Sequence, residues 1–468
     1  MKLRQKLFLY LIFMPFVVWS QHDEKPNIIV ILADDLGWGD VGYHGSEIHT
    51  PHINQLAKEG LRMERFYVTP ICSPTRAGLL TGRYPERYGL RSTVIPPWRD
   101  FGVDTSEVFL PEKLSKVGYT NRAVLGKWHL GHSRMQYHPL HRGFTHFYGH
   151  YNGAIDFFTH FREGELDWHD DFNSSYDEGY STDLLTQEAI QNIKEYSAEG
   201  DPFFMYVAYN APHVPLQAKE EDLIAQGYDA SKPKFSDEKG YGYQGRGNTV
   251  KQTYNAMVSS LDKGIGEILA ALEENNIEKN TIVLFFSDNG PDPGSGGSSG
   301  GLRGTKFEEW EGGVRVPAII KWPSKIKGGE ISNQVTGYID VMPTLLDIVG
   351  VKEESKLPLD GISILPVLKG QKPVIHREFY LGSKALVNTE WKLIKSDGSR
   401  GMRLENDVLF HLISDPSEKL DVRQQYPLVY KKMMTAIEKF ENIHYKTEVR
   451  PYGEGRKGFK APKEWKIE

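Results

Sequence analysis

The sequence predicts an α/β fold: a large sheet flanked by helices on both faces, followed by a smaller C-terminal α+β unit. Three observations lead there. Short apolar runs rich in β-branched residues alternate with stretches of helical periodicity. Those runs are nearly continuous in apolar residues, which marks strands buried on both faces, as in a parallel sheet. From about Lys372 the texture changes to shorter strand-like pieces and one last helical stretch.

Taken in order, Asn27 to Ala33 (NIIVILA) is the first buried strand. Pro51 to Glu59 follows as a helix, with Thr50 as N-cap and Pro51 at the first position, where its missing N–H is no loss. Phe109 to Val117 is a second helical stretch, ended by Gly118, and Asn121 to Leu125 a second strand. Phe203 to Tyr209 (FFMYVAY) is the third buried run. Val250 to Glu274 carries Met257, Leu261, Ile265 and Leu269 on one helical stripe. Thr281 to Phe286 (TIVLFF) is the fourth strand. Pro291 to Gly301 (PDPGSGGSSGG) reads as a flexible loop, a mobile border between Asp288-Asn289 and Lys306. Glu378 to Leu381 and Trp391 to Ile394 read as antiparallel strands, and Leu428 to Ile443 as a terminal helix. The lysine-rich tail after Tyr445 reads as a solvated surface segment.

Met1 to Gln21 has the make-up of a secretory signal. Lys2, Arg4 and Lys6 form a basic start, and Leu7 to Trp19 is an apolar run too short to span a bilayer. No cysteine follows it, which excludes a lipoprotein anchor, and no later segment is apolar enough to cross a membrane. The expected organisation is residues 1–21 as signal, 22–371 as the large unit and 372–468 as the smaller one. The expected location is periplasmic or extracellular. With 39% hydrophobic and 25% charged residues the chain is globular. A net charge of -6 without a clustered basic surplus excludes a nucleic-acid binder. A polyanionic substrate would therefore be met by a local basic site. One cysteine, Cys72, allows no internal disulfide, and a lone thiol in an oxidising compartment needs a reason.

The strands end in chemically loaded residues. Ala33 is followed by Asp34-Asp35, Leu125 leads to Lys127 and His129, Tyr209 to His213, and Phe286 to Asp288-Asn289. Open α/β sheets place their sites beyond the carboxyl ends of strands, so one shared site is expected there. The two acidic and amide pairs are hard oxygen donors, suited to Ca2+ or Mg2+ and not to a soft metal. Cys72-Ser73-Pro74-Thr75-Arg76, followed by AGLLTG and Arg83, completes the set.

That segment resembles the type I sulfatase signature, Cys-x-Pro-x-Arg followed by Thr-Gly-Arg. Gly126 to Gly131 (GKWHLG), Ala211-Pro212-His213, Gly304-Thr305-Lys306, Leu32 to Ser46, Arg142 to Gly149 and Gly301 to Val314 are similar to the same family. The resemblance covers most of Asn27 to Asp347 and leans toward the arylsulfatase B type and toward bacterial polysaccharide sulfatases. It implies an alkaline phosphatase-like large domain. It also implies that a maturase oxidises Cys72 to formylglycine, whose hydrate attacks sulfur and then regenerates the aldehyde as sulfate leaves. By resemblance, Asp34, Asp35, Asp288, Asn289 and residue 72 hold one Ca2+. Arg76 and His129 neighbour the formylglycine. Lys127, His213 and Lys306 clamp the sulfate and leaving oxygen, with His213 or Lys306 as the acid.

His132 to His141 and Tyr151 to Asp183 depart from the family pattern and should shape the sugar pocket. His132, His150, Asn152, Asp156, Arg303 and Glu311 lie near the motifs and are candidate substrate-binding residues. The expected substrate is a sulfated polysaccharide or its oligosaccharides, a galactan or carrageenan, ulvan or glycosaminoglycan, attacked from the non-reducing end. Two other readings compete. One is a phosphodiesterase or phosphonate monoester hydrolase of the alkaline phosphatase superfamily. The other is a non-catalytic glycan-binding protein on the same scaffold.

Overall fold

The computed structural model describes residues 24–90, 93–236, 244–351, 357–382, 384–396, 402–443, 445 and 450–467. The signal assigned to residues 1–21 lies outside them. In chain order the main strands are β1 (Asn27–Ala33), β2 (Leu61–Met63), β3 (Arg122–Lys127), β4 (His146–His150), β5 (His169–Asp170), β6 (Asn173–Ser174), β7 (Phe204–Ala208), β8 (Thr281–Ser287), β9 (Ala318–Lys321) and β10 (Glu330–Ser332). They form one sheet in the order β10-β2-β9-β8-β1-β7-β3-β4-β5-β6. Its centre, from β8 to β4, is parallel, and β9 and β5 join that centre antiparallel on either side. The sheet is therefore mixed at its flanks, where the strands are short.

From Ile28 onward every residue of β1 is buried. Ile28, Val30 and Leu32 face one core, and Ile29, Ile31 and Ala33 the other. This is the period-two alternation of a strand covered on both sides. On the second side lie α1 (Pro51–Glu59), α4 (Ser181–Glu199) and α5 (Val250–Glu274); on the first lie α2 (Cys72–Thr81), α3 (Leu110–Ser115) and α6 (Val341–Ile348). Register aligns the strand ends. Leu32 lies level with Ala208 and Phe286, Ala208 with Gly126, and Lys127 with His150.

A small C-terminal antiparallel sheet follows, β11 (Phe379–Tyr380), β12 (Ala385–Val387), β13 (Trp391–Ile394) and β14 (Val408–His411), with α7 (Pro427–Glu441) packed on it. The expected strands at 378–381 and 391–394 do not pair with each other; β12 lies between them and pairs antiparallel with both. Phe379, Tyr380, Leu393 and Phe410 belong to the same core as α2, so this sheet has no separate core.

Two local expectations need correction. Thr50 sits at the N-cap of α1, but its hydroxyl accepts from the Gly42 N–H at 2.8 Å and makes no cap bond. The C-terminal tail is largely exposed yet anchored. Trp465 is buried, donates to Arg162 O at 3.0 Å and meets the His132 ring edge-on. Its aromatic surface outweighs the surrounding lysines.

His146, on β4, ties the β5 region to α4. Its Nδ1 meets Asp171 Oδ1 at 3.1 Å and its Nε2 meets Glu188 Oε1 at 2.8 Å. Burial opposes its charge, but these bonds to Asp171 and Glu188 push its pKa up to about 9. The folded value lies above the unfolded value of about 6.5, so the stabilisation is complete below that pH and lost as pH rises through the folded value. Melting curves should show His146→Gln several degrees less stable than the parent at about pH 6, with the difference largely gone near about pH 10. An equal loss at both pH values would contradict this ion-pair role.

Candidate active site

The strand ends converge as the alignment requires. The Asp35 N–H donates to Asp288 Oδ1 at 3.2 Å, which binds the end of β1 to the end of β8. Asn289 Nδ2 donates to Asp35 Oδ1 at 2.6 Å. Asp34, Asp35, Asp288 and Asn289 are all buried. Asp34 Oδ1 and Asn289 Oδ1 have no hydrogen-bond partner. Asp34 Oδ1 has only the Arg76 guanidinium, with Nη2 at 3.6 Å; buried oxygens without hydrogen bonds beside further carboxylates are costly unless a cation takes them, and an all-oxygen set fits a hard ion such as Ca2+. Asp34, Asp35 and His213 also bring one ligand atom each within 4.8 Å of one another, so His213 borders the same space.

α2 begins at Cys72, after the extended Ile71, and all ten of its residues are buried. Its first N–H groups have no partner within the helix and favour an anion. The Ser73 hydroxyl donates to His129 O at 3.0 Å, and Thr75 Oγ1 accepts from the Thr69 N–H at 3.0 Å, which hold the helix start in place. Cys72 Sγ lies 3.4 Å from His129 Nδ1. Burial pushes the Cys72 thiol up, and Lys127 and Lys306 only partly oppose it.

Each cation is paired with one of the acids. Arg76 Nε and Nη2 donate to Asp288 Oδ2 at 3.0 and 2.8 Å, and its Nη1 to Lys127 O at 3.1 Å. Lys127 Nζ donates to Asp34 Oδ2 at 2.6 Å, and Lys306 Nζ to Asp35 Oδ2 at 2.8 Å. His213 Nε2 stands 3.7 Å from Asp35 Oδ2. Burial alone would raise Asp35, but Lys306, His213 and Lys127 hold it well below the usual carboxylate range. Asp288 behaves oppositely: burial and the neighbouring Asp34 push it up to about 6 against the pull of Arg76. Burial, then Lys127 and Arg76, hold His129 well below the usual imidazole range. Burial and Lys306 do the same to His213. Asp35 and His129 both have left-handed backbones, φ 69° and 55°, a strain that clusters at functional sites. Gly126, at φ +102°, turns β3 into Lys127; a Cβ there would stand 2.1 Å from Ala208 O.

Cys72, Arg76, Lys127, His129, His213 and Lys306 thus gather at one place with the four oxygen donors. The six candidate sugar-binding residues divide. His150 and Asn152 lie beside this cluster, since Lys127 pairs with His150 across the sheet and His129 N–H donates to Tyr151 O. Both are buried, with His150 Nε2 and Asn152 Oδ1 unpartnered, and burial pushes His150 down to about 3. His132 is buried, with Nε2 on Pro97 O at 3.0 Å. Asp156 accepts from Phe158 N, Thr159 N and Gln217 Nε2, which shapes its own loop. Arg303 stacks on Trp310 at 3.6 Å and donates to Glu418 O. Glu311 is fully buried against Lys392 and Tyr67, facing the C-terminal sheet. The bonds these last three make run to their own loop and to the C-terminal unit.

Sequence reasoning missed Asp167, which accepts from Tyr151 N, Asn152 N and Asn152 Nδ2 and so pins the strand end beside His129. It also missed Asp40, whose carboxylate accepts from Ser298 N and from the Tyr254 hydroxyl at 2.6 Å. The glycine-rich segment 291–301 is thereby tethered to the turn after β1. A single aspartate in a connecting segment, flanked by Leu166 and Trp168 or by Gly39 and Val41, carries no signal of such roles.

A parallel-centred α/β sheet, a helix N-terminus and a ring of buried cations define a hydrolase of anionic esters. The chain belongs to the sulfatase family, whose profile, "Sulfatase", matches residues 26–351, and it is a sulfuric ester hydrolase. A second profile, "N-sulphoglucosamine sulphohydrolase, C-terminal", matches residues 306–442. The chain is similar to arylsulfatase J of Mus musculus, 32% identical over 89% of this chain and 76% of that protein. It is similar to N-acetylgalactosamine-6-sulfatase of Mus musculus, 36% identical over 78% of this chain and 71% of that one. The solved structure of Ps i-CgsB is 32% identical, with a TM-score of 0.80 over 92% of this chain and 96% of that one.

Gly153 packs against the imidazole of His129; a Cβ there would lie 2.4 Å from its Cε1 and 2.6 Å from its Nε2. Gly153→Ala should displace the ring and lower turnover of an aryl sulfate by about 100-fold, the usual effect of a misplacement near 1 Å. Melting temperature should change little. Unaltered turnover would show that His129 is not needed where it stands.

Proposed function

We propose that this protein is an exported sulfatase that removes sulfate from a sulfated glycan, using a formylglycine at residue 72 and one Ca2+. The observation that carries the reading is the lone cysteine at the N-terminus of α2, 3.4 Å from His129 Nδ1 and under the influence of Lys127 and Lys306, beside four buried oxygen donors. Asp34, Asp35, Asp288 and Asn289 would hold the ion, which supplies Lewis acidity toward a sulfate oxygen. Formylglycine, formed by a maturase, supplies a hydroxyl nucleophile at the place of the Cys72 thiol.

The chain's own residues account for the rest. His129 Nε2 lies 3.2 Å from the Ile95 carbonyl, an acceptor only, so the proton sits on Nε2. Nδ1 then offers a lone pair toward residue 72, and the depressed pKa keeps the ring neutral and ready to accept a proton there. Lys127, Lys306 and Arg76 provide preorganised positive charge for sulfonyl oxygens. His213, through Nε2, or Lys306 protonates the leaving alcohol; an anionic sulfate ester beside His213 favours the charged imidazole. Among the described residues no helix is long and apolar enough to cross a membrane.

The substrate class rests on the neighbours. One relative is named N-acetylgalactosamine-6-sulfatase, and Ps i-CgsB was solved with k-i-k-neocarrahexaose. A glycosaminoglycan oligosaccharide fits the first name and a sulfated galactan the second; ulvan as a further substrate, and attack from the non-reducing end, complete the proposal. Mass spectrometry should find the peptide of residue 72 as the aldehyde, and that protein should release sulfate from such oligosaccharides, faster than from intact polymer. Cys72→Ala should be folded and inactive. Full activity with the thiol unmodified, or hydrolysis of phosphate esters in preference to sulfate esters, would refute the reading.

Calcium removal gives an independent check. A chelator should abolish turnover and lower the melting temperature, since an ion present at 100 times its Kd adds about 2.7 kcal/mol to the folded state. Asp288→Ala should remove the calcium-dependent part of that stability. Undiminished activity after verified metal removal would rule the ion out.

A further inference from the structure

Lys306 lies in the long segment that joins β8 to the short helix Glu311–Val314. Its position is fixed from two sides. On one side Lys306 N–H donates to Pro291 O and Phe307 N–H to Pro70 O, at 3.0 and 2.8 Å. On the other, the C-terminal unit grips the segment before and after Lys306. Ser417 Oγ donates to Gly301 O at 3.1 Å, and Arg303 Nη1 donates to Glu418 O at 2.8 Å. Glu311 N–H donates to Glu418 Oε2 at 2.6 Å, and Trp310 packs on Phe410 at 5.7 Å.

Lys392, on β13, sits at the centre of this grip. It is fully buried, with Nζ 3.0 Å from Glu311 Oε1 and 2.9 Å from Glu418 Oε1. Glu311 has Arg315 Nη1 at 3.5 Å and the Tyr67 hydroxyl at 3.1 Å as well. A buried ion-pair cluster of this kind contributes little net stability compared with apolar packing of equal volume; its effect is to fix one arrangement. Glu418 holds a left-handed backbone, φ 52°, which its surroundings must over-determine.

We propose that Lys392 and Glu418 are positioning residues for Lys306: the C-terminal sheet sets the cationic wall of the sulfate site through the segment 301–311. The proposal rests on Lys306 binding sulfate, as argued above. It moves Arg303 and Glu311 from sugar contacts to parts of this linkage.

The test is a double-mutant cycle on the full-length, matured, calcium-loaded protein, read by titration calorimetry with inorganic sulfate and by melting temperature. The ion-pair part of the linkage is removed with Lys392→Met and Glu418→Gln together, which leaves Glu311 to Arg315 and Tyr67 and strands no charge. Compared with the parent, this pair should weaken sulfate binding about tenfold, and on a Lys306→Ala background it should add almost nothing, since residues acting through one group are non-additive. Sulfate affinity equal to the parent's, or the same loss in both backgrounds, would overturn the positioning role. If the pair does not fold, Arg303→Met, which cuts the bond to Glu418 O, goes through the same cycle under the same criteria. Parent-like sulfate affinity in Lys306→Ala alone would remove the Lys306 assignment itself, and this proposal with it.

Discussion

Charge pairing inside a closed strand-end layer governs this structure. Asp34, Asp35 and Asp288 are buried there with Arg76, Lys127 and Lys306. An isolated ion at such a place costs several kcal/mol, so each must find a partner. The pairings dictate how the pieces meet. Arg76 to Asp288 docks α2 on β8, Lys127 to Asp34 ties β3 to β1 across β7, and Lys306 to Asp35 draws the glycine-rich segment over the end of β1. Apolar residues of similar volume would hold the same elements together about as well. The charges are therefore better explained by chemistry at that spot than by stability. The carboxylates that pair with the lysines are also the ones offered to a cation, so the two uses compete for the same oxygens.

Much of this was legible in the sequence for a definite reason. β1 and β8 are buried on both faces, so all their residues but the end ones, Asn27, Thr281 and Ser287, are apolar and their bounds are sharp. The site residues follow directly on those strands, and parallel register brings the strand ends to one level. The flanks were illegible. β2 is three residues with an arginine in the middle, and β5 and β6 are two residues each, all polar; pairing across the sheet defines them, not composition. β12 escaped notice because three apolar residues after a turn carry no period.

The candidate sugar contacts show where sequence proximity stops being informative. His150 and Asn152 continue from β4, whose end lies level with Lys127, and they stay beside the cluster. Asp156 lies only a few residues further, but its chain has turned and its carboxylate caps its own loop. Arg303 and Glu311 flank Lys306 closely in sequence and bond to Glu418 and Lys392 of the C-terminal unit. A loop that presents one residue to a site must anchor its neighbours elsewhere, and here the anchor is the C-terminal sheet. The residue next to a functional one is thus often a tether.

The electrostatics around residue 72 bear on which nucleophile the site is built for. Cysteine hydrolases need a thiolate, and their surroundings lower the thiol pKa. Here the surroundings raise it: burial dominates, Asp288 and Asp34 add to it, and Lys127 and Lys306 do not compensate because each is already bound to an acid. His129 lies 3.4 Å from the sulfur but is itself held neutral at rest by burial and by Lys127 and Arg76, so no standing imidazolium pairs with a thiolate there. A free thiol at this position would stay protonated and unreactive. A neutral imidazole lone pair, by contrast, suits a hydroxyl that must shed a proton without becoming a standing anion. The surroundings of Cys72 thus differ from those of a thiolate nucleophile, which is the setting the proposed conversion of this side chain to a hydroxyl-bearing one would call for.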